Sequence, residues 1–283
     1  MKTFVKVWLG ISFMAIGIGI AILVIATASG ARWEDISAFS EMHGSYEGVE
    51  RIDFEFGYGD IKIEKGDTFS ISAEHIVEDQ INSYVSDGTW YIRESEEQYF
   101  SVFGWKFPID GIRFWKDDFG PDITITVPEG FQAEKIDLSI LAGSVKADEI
   151  NSLEGNFHIE AGKLEIEKLN IKEESQYSVG AGDLYLQNAI LNDVTMDCGM
   201  GDIEFEGTIT GDNHIKCGIG KIKFILNAVE EDYSYEISSG IGDVNINRHS
   251  YNSISNKVIK NENTEHNLNL DCSMGDITVE FEQ

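Results

Sequence analysis

Hydrophobic and polar residues alternate along most of this chain, and the alternation is centred on a recurring glycine. The motif is Gly-x-Gly-Asp or a close variant, and its second glycine stands at 59, 143, 162, 182, 201, 220, 242 and 275. Apolar residues occupy the positions five and three residues before this glycine and two and four residues after it, with mostly polar residues between them. Such period-2 alternation on both sides of a bend predicts short strands with one buried face. The column three residues before the glycine contains Phe56, Ile140, Ile159, Val179, Cys198, Cys217, Ser239 and Cys272.

The spacing of the glycines predicts the fold class. From Gly143 to Gly220 the successive steps are 19, 20, 19 and 19 residues. A unit of this length cannot bury its own apolar face, whereas stacked copies can. We therefore predict an all-β fold, a parallel β-solenoid with rungs of about 19 residues stacked about 4.8 Å apart. A propeller is the rival fold, but its blades need about 40 residues, and here the same columns recur in every rung.

The first thirty residues predict a membrane anchor. Residues 7–28 carry no charge, and as a helix they would reach roughly 33 Å, enough to cross a bilayer. Lys2 and Lys6 precede this segment, so residues 1–6 are expected in the cytoplasm and the rest outside, as a single-pass protein of the cell membrane. A cleaved signal peptide is the alternative, because Ala26-Thr27-Ala28 has the form of a cleavage site. Residues 29–48 are interpreted as a stalk, and 49–283 as the extracytoplasmic solenoid.

An aromatic segment interrupts the first repeats. Gly59 and Gly143 are 84 residues apart, and removing Glu96–Phe119 as an insertion leaves a length of about three rungs. Aromatic residues beside a few cations are typical of protein interfaces and membrane surfaces. The alternative is that the insertion caps an open end of the solenoid. The candidate partner or membrane contacts in it are Phe103, Trp105, Phe107, Phe114 and Trp115.

Two further columns suggest possible chemistry. Aspartates follow the bend in several rungs and could form a ladder of oxygen ligands for divalent cations, although an Asp after Gly also suits a turn by binding backbone amides. Lys163 and Lys221 occupy the same column and would neutralise their neighbours. The three cysteines share one inward column, where they are either free core thiols or, for Cys198 and Cys217, a disulfide. The ladder candidates are Asp183, Asp202, Asp243 and Asp276, with Asp60 in the first repeat.

Composition limits the function. The net charge is −29, which argues against a nucleic-acid partner, since binding phosphates requires a basic surface. The six histidines are scattered, and no nucleophile elbow, metalloprotease or phosphate-loop motif occurs. We predict no enzyme activity, no metal and no cofactor. A polysaccharide-active β-helix enzyme, with Lys163 or Lys221 as the base, is the lesser alternative.

The glycine-bend repeats, the apolar columns and the N-terminal apolar segment together resemble the bacterial "putative adhesin" domain family of unknown function. The resemblance covers roughly residues 49–282. It implies a β-solenoid without known catalytic residues, and some members look linked to envelope-stress signalling. The expected function is a non-catalytic, membrane-anchored module that binds a protein or envelope polymer. The alternative is a secreted glycan-binding adhesin, released by signal cleavage.

Overall fold

The computed structural model describes residues 40–76, 80–94, 99–102, 105–108, 121–247, 249–260 and 264–282, without the side chains of 99–108 and 252–260. The chain divides into two compact units, residues 41–95 with 118–283, and residues 1–40 with 96–117. The strands are β1 Ser40–Tyr46, β2 Arg51–Gly66, β3 Phe69–Ile76, β4 Ile81–Ser86, β5 Thr89–Glu94, β6 Tyr99–Val102, β7 Trp105–Pro108, β8 Asp122–Pro128, β9 Ala133–Ala147, β10 Ile150–Ile166, β11 Leu169–Ile171, β12 Ser175–Asn192, β13 Val194–Met200, β14 Ile203–Thr210, β15 Asp212–Ile219, β16 Ile222–Asn227, β17 Tyr233–Ile246, β18 His249–Lys260, β19 His266–Met274 and β20 Ile277–Glu282. A 3-10 turn, Glu230–Asp232, precedes β17.

The predicted parallel stack of rungs is confirmed. β9, β10 and β12 pair in parallel with Gly143, Gly162 and Gly182 in register. β12 pairs with β13 and β14, and these pair with β15 and β16. Val179, Cys198 and Cys217 are register partners and are all buried. Equivalent side chains of successive rungs therefore line one shared dry interior, as the alternation predicted.

Aromatic pairs show how like residues stack along this interior. The rings of Phe157 and Tyr177 are 5.0 Å apart and inclined by 4°. Those of Phe205 and Phe224 are also 5.0 Å apart, inclined by 23°. Both spacings follow from the distance between hydrogen-bonded strands, which places identical columns in van der Waals contact.

The glycine column is required by steric contact as well as by backbone conformation. The second glycine of every bend, from Gly59 to Gly275, has φ between +134° and +149°. A Cβ on Gly182 would overlap the carbonyl oxygen of Gly162, and the same clash recurs along the column. Because the rungs approach so closely at the bend, no side chain fits there.

The N-terminal end departs from the predicted three rungs. β2 stacks directly on β9, so Gly59 neighbours Gly143. On the other side of β2 lie β5, in register with its first half, and β8, in register with its second half. β5 and β8 thus form the two halves of one rung. In the sequence, the predicted insertion lies between these two halves. β3 and β4 pair antiparallel with β8 and β5, so the expectation of three rungs is corrected to one rung with an antiparallel cover.

The C-terminal rungs are stacked out of sequence order. β19 and β20 pair with β15 and β16 on one side and with β17 on the other. β17 is therefore the outer rung, and β18 pairs antiparallel with it. The polar stretch 248–269 contains β18 and the start of β19.

Several predictions concern the N-terminal segments. Residues 1–6 and the expected anchor at 7–28 lie outside the described residues. In the part of the chain that the structure describes, no helix is long and apolar enough to cross a membrane. Within the range 29–48, which stays a predicted stalk, Ser40–Tyr46 forms β1 and pairs with β3. Met42 and Tyr46 of this strand pack against the core.

Candidate binding surfaces

The aspartate column lies beside the bends, and its carboxylates accept backbone hydrogen bonds. Asp183 Oδ1 accepts the N–H of Asp202 at 3.0 Å, and Asp202 Oδ1 accepts the N–H of Lys221 at 2.9 Å. Asp276 Oδ1 likewise accepts the N–H of Asp243 at 2.9 Å. Each carboxylate therefore links one bend to the next, which is the local turn role that the sequence left open.

Positive charges and a hydroxyl separate parts of this column. Lys163 is in register with Asp183, and Lys221 lies between the rungs of Asp202 and Asp276. Asp60 accepts a hydrogen bond from Ser144 Oγ of the next rung. Within the described ranges, His, Cys, Asp and Glu side chains form no group of three that could hold a metal ion.

The three cysteines are buried free thiols in consecutive stacked rungs. Cys198, Cys217 and Cys272 donate to the carbonyl oxygens of Gly182, Gly201 and Gly220, at 3.6, 3.4 and 3.4 Å. The pKa of the central thiol, Cys217, is raised because it is hydrogen-bonded with its two neighbours and because burial disfavours the thiolate. The column is therefore a set of weak donors that serve the glycine carbonyls.

Ser239 extends the same arrangement to the outer rung. It occupies the column of the cysteines, in register with Cys272. Its hydroxyl donates to the carbonyl oxygen of Gly275 at 2.9 Å. Sequence analysis missed this shared role, although the mixture of cysteine and serine in one inward column was the available signal.

Lys163, one of the two lysines considered as possible catalytic bases, has side-chain partners. Lys163 Nζ lies 2.6 Å from a carboxylate oxygen of Glu165 and 4.5 Å from the centre of the Tyr185 ring. The pKa of Glu165 is lowered because Lys163 and Lys146 hydrogen-bond to it.

The aromatic insertion contains an antiparallel hairpin, β6–β7, in which Val102 pairs with Trp105 and Phe100 with Phe107. Trp105 and Phe107 thus lie on β7, two residues apart. Phe103, Phe114 and Trp115 lie outside the described residues. Whether these five residues contact a partner or a membrane stays a prediction.

A shallow polar groove of about 370 Å³ crosses five rungs on the outer face of the solenoid. It was not found from the sequence. Its floor consists of two columns of outward side chains, which are two residues apart along the strands. We call this surface the polar groove. The first column contains Asp53, Asp137, Asn156, Gln176 and Thr195, in register. The second contains Glu55, Ser139, His158, Ser178 and Asp197, also in register.

Carboxylates stand at the ends of the polar groove, and neutral donors and acceptors fill its centre. At one end, Arg93 binds Asp53 at 2.5 Å, and this hydrogen bond raises the pKa of the guanidinium. Asn156 Nδ2 donates to Asp137 Oδ1 at 2.7 Å. The central side chains of Gln176 and Ser178 are exposed to solvent. Such a surface can offer several hydrogen bonds to a ligand at the repeat distance of the rungs.

Comparison with known families gives a match over most of the chain. The Toastrack DUF4097 family model matches residues 49–280 of this chain. This chain belongs to the Toastrack DUF4097 family. The match confirms the family resemblance inferred from the repeats, and its limits coincide with the stack from β2 to β20. A comparison with curated protein sequences gives no match.

Solved structures resemble the Toastrack chain only distantly. A "putative adhesin" from Bacteroides fragilis shares 15% identity with a TM-score of 0.43, covering 86% of this chain and 97% of that one. A "putative cell adhesion protein" from Clostridium sporogenes shares 15% identity with a TM-score of 0.35, covering 86% and 100%. A "putative lipid binding protein" from Parabacteroides distasonis shares 10% identity with a TM-score of 0.30, covering 87% and 97%.

Proposed function

We propose that this Toastrack protein is a non-catalytic binding module of the bacterial cell envelope, held at the membrane by residues 7–28. The observation that carries the binding role is the polar groove. Its centre presents amide, hydroxyl and imidazole groups at a regular spacing, and its ends are acidic. The ligand that fits this chemistry is a neutral envelope polymer rich in hydroxyl and amide groups, lying across the rungs.

Two features support a binding role without catalysis. The polar groove has neutral side chains at its centre, and His158 pairs there with Glu160 at 3.4 Å. The aspartates beside the bends are engaged with backbone amides. A regular ladder of hydrogen-bonding groups recognises a repeating polymer through many weak contacts, which requires no activated nucleophile.

The binding proposal is tested with the full chain and two probes, purified peptidoglycan sacculi and a soluble oligomer of β-1,4-linked N-acetylglucosamine. The triple variant His158→Glu, Gln176→Glu and Ser178→Glu adds charge to the centre of the polar groove. We expect binding of both probes to fall by at least about tenfold, which is roughly 1.4 kcal/mol. Gln187→Glu with Asn227→Asp changes exposed residues outside the groove and serves as the matched control.

Two results would each reject part of the binding proposal. Equal binding by the groove variant and the control variant would show that this groove is not the polymer site. Absence of binding to either probe by the parent chain would reject a neutral sugar polymer as the ligand. We expect each variant to fold, because the substituted side chains point away from the interior, and circular dichroism checks this.

The membrane location is tested separately. We expect the full-length chain to remain in the membrane fraction after an alkaline wash, with an intact mass that includes residue 1. A mature chain that begins near Ser29 or Arg32 and appears in the medium would support the alternative, a secreted adhesin. Participation in envelope-stress signalling would appear as an altered stress response after deletion of the chain.

A further inference from the structure

One line of exposed apolar side chains breaks the polar pattern of the solenoid surface. Each bend has one residue between its two small residues. In four stacked bends this residue is large and apolar, and we call these four residues the apolar ridge. They are Met200, Ile219, Met274 and Ile241, which are 54, 48, 47 and 59% exposed. Each is the register partner of the next. They are half of the eight exposed large apolar residues among the described side chains.

The apolar ridge is specific to one half of the molecule. The same column contains Ala142, Ala161 and Ala181 in the preceding rungs. Most outward positions elsewhere in the ridge rungs are polar, as at Lys216 and Glu204. Packing of the interior does not require large apolar residues in this column, because alanine serves in the three preceding rungs. A contiguous exposed apolar line on a strongly acidic protein therefore indicates a contact surface.

The two sides of the apolar ridge differ. On one side stand Gly199, Gly218 and Gly240, where an added Cβ would clash with the backbone of the neighbouring rung. This side is consequently bare backbone except at Ser273, whose side chain is small, and the ridge side chains stay accessible. On the other side, past the second glycine, lies the aspartate column, where the three carboxylates of Asp202, Asp276 and Asp243 outnumber the one ammonium group of Lys221. A partner that covers the ridge therefore meets an acidic margin.

The dimensions of the apolar ridge exclude a large flat interface. Four rungs span three steps of about 4.8 Å, roughly 14 Å, and the ridge is one side chain wide. A stable dimer needs about 800 Å² on each partner, more than this line supplies. A helix repeats its apolar positions about every 5.4 Å, so three turns nearly match the four ridge residues. Methionine adapts to different packing partners, which suits such a contact.

We propose that the apolar ridge docks a basic amphipathic helix of a protein partner, which lies along the stacking axis. Its apolar stripe covers Met200, Ile219, Met274 and Ile241. Its lysines or arginines face the aspartate column, whose charge steers the encounter. This inference is independent of the polar groove, whose columns lie six and four residues before the second glycine and, apart from Thr195 and Asp197, in other rungs.

The test uses the full chain in phosphatidylcholine nanodiscs and a synthetic Leu–Lys peptide of about 14 residues, with leucines at helical spacing. Binding is measured by fluorescence anisotropy, with empty nanodiscs subtracted. The ridge variant is Met200→Ser, Ile219→Thr, Met274→Ser and Ile241→Thr. The matched control is Leu141→Ser with Ile190→Thr, since both residues are apolar, exposed and outside the ridge. A permuted peptide of the same composition, without an apolar face, controls for charge alone.

We expect the parent chain and the control variant to bind the amphipathic peptide at least about tenfold more tightly than the ridge variant. A second variant, Asp202→Asn, Asp276→Asn and Asp243→Asn, keeps the side-chain oxygen that accepts the backbone amide. It should weaken binding and reduce its dependence on salt. This variant and the single change Ile219→Thr test the proposal if the fourfold variant fails to fold.

Three outcomes would overturn the proposal. The ridge variant could bind as tightly as the parent chain. The permuted peptide could bind as well as the amphipathic one, which would reduce the effect to net charge. Finally, the parent chain could bind phosphatidylcholine vesicles through the ridge while ignoring the peptide, which would make the ridge a membrane contact.

Discussion

Cys217 Sγ donates a hydrogen bond to the carbonyl oxygen of Gly201 in the neighbouring rung, at a distance of 3.4 Å. That oxygen faces the α-carbon of Gly220, where an added Cβ would overlap it. The thiol is thus the donor placed to serve a buried carbonyl at the bend. Leaving such a group unsatisfied costs roughly 1–3 kcal/mol, so the column of cysteines contributes to the fold itself.

Removing this donor should destabilise the protein without changing its shape. Cys217→Val replaces the thiol with the side chain that Val179 places in the same column. We expect the free energy of unfolding to fall by about 0.5–1.5 kcal/mol. Cys217→Ser should lose less, because Ser239 makes the equivalent bond at 2.9 Å. Denaturant titration of both variants measures the difference, and equal losses would contradict the donor role.

Substitution of a stacked glycine should be far more damaging. Gly182→Ala places a Cβ against the carbonyl of Gly162 at φ +147°. We expect a loss of more than about 3 kcal/mol or failure to fold, because backbone strain and a steric clash add. Gly130→Ala is the control, since its φ is +76° but no atom lies within 4 Å of an added Cβ. Thermal unfolding distinguishes them, and similar losses would show that φ alone matters.

The acid sensitivity of folding should depend in part on Glu149. Its side chain is 13% exposed and lies 2.7 Å from Lys168 and 3.4 Å from Lys65. These contacts, led by the hydrogen bond from Lys168, lower the pKa of Glu149. Because the folded-state pKa is below the unfolded value, this stabilisation is present above about pH 4.3 and is lost as the pH falls through the folded-state pKa.

Glu149→Gln tests this dependence. We expect the variant to lose about 1–2 kcal/mol of unfolding free energy at pH 7 and to match the parent chain at strongly acidic pH. The exposed Glu206→Gln is the control. A constant difference across the pH range would mean that the substitution acts through packing instead of charge.

The insertion should be removable without loss of the solenoid. Arg93 pairs with Glu55 and Asp122 with Asp60, and only four residues, Phe56 to Gly59, join the equivalent positions of β2. Replacing residues 94–121 with Phe-Gly-Tyr-Gly should therefore create a continuous rung. The shorter connection saves about 1–2 kcal/mol of loop-closure entropy, which offsets the lost contacts of Glu94 with Gln80 and Gly57.

This shortened chain also tests the aromatic partner site. If Phe103, Trp105, Phe107, Phe114 and Trp115 provide a partner contact, capture of that partner should be lost while the melting temperature is retained. Equal capture by both chains would remove the insertion as a partner site. A large fall in the melting temperature would instead support the alternative that the segment caps the solenoid.

The interior was predictable because alternation is a local property of the sequence. Phe157 and Tyr177 are buried register partners, as their shared position in the repeat indicated. The order of the rungs was not predictable in this way. Gly59 neighbours Gly143 and Gly275 neighbours Gly220, yet every rung presents the same columns to both sides. Alternation states which face is buried, and it does not state which rung lies above.

The candidate sites were predictable to different degrees. The aspartate column was found, and its local role was one of the two interpretations offered. The polar groove and the apolar ridge were missed because both consist of outward positions. The alternating pattern restricts the residue type at inward positions but not at outward ones. The signal for the apolar ridge was present in Met200 and Ile219, which interrupt an otherwise small or polar position. Their significance depends on stacking order, which the sequence left open.

The out-of-order placement of β19 and β20 has a consequence for how the molecule is assembled. The central rungs can form as they are synthesised, each adding to the one before. The next rung in the sequence, β17, has no parallel neighbour until β19 and β20 are made, because these strands separate it from β15 and β16. The last step is then the placement of β19 and β20, which form hydrogen bonds with strands on both sides. Chains interrupted before residue 266 would therefore expose unpaired edges on β15 and β17, which can pair with other chains.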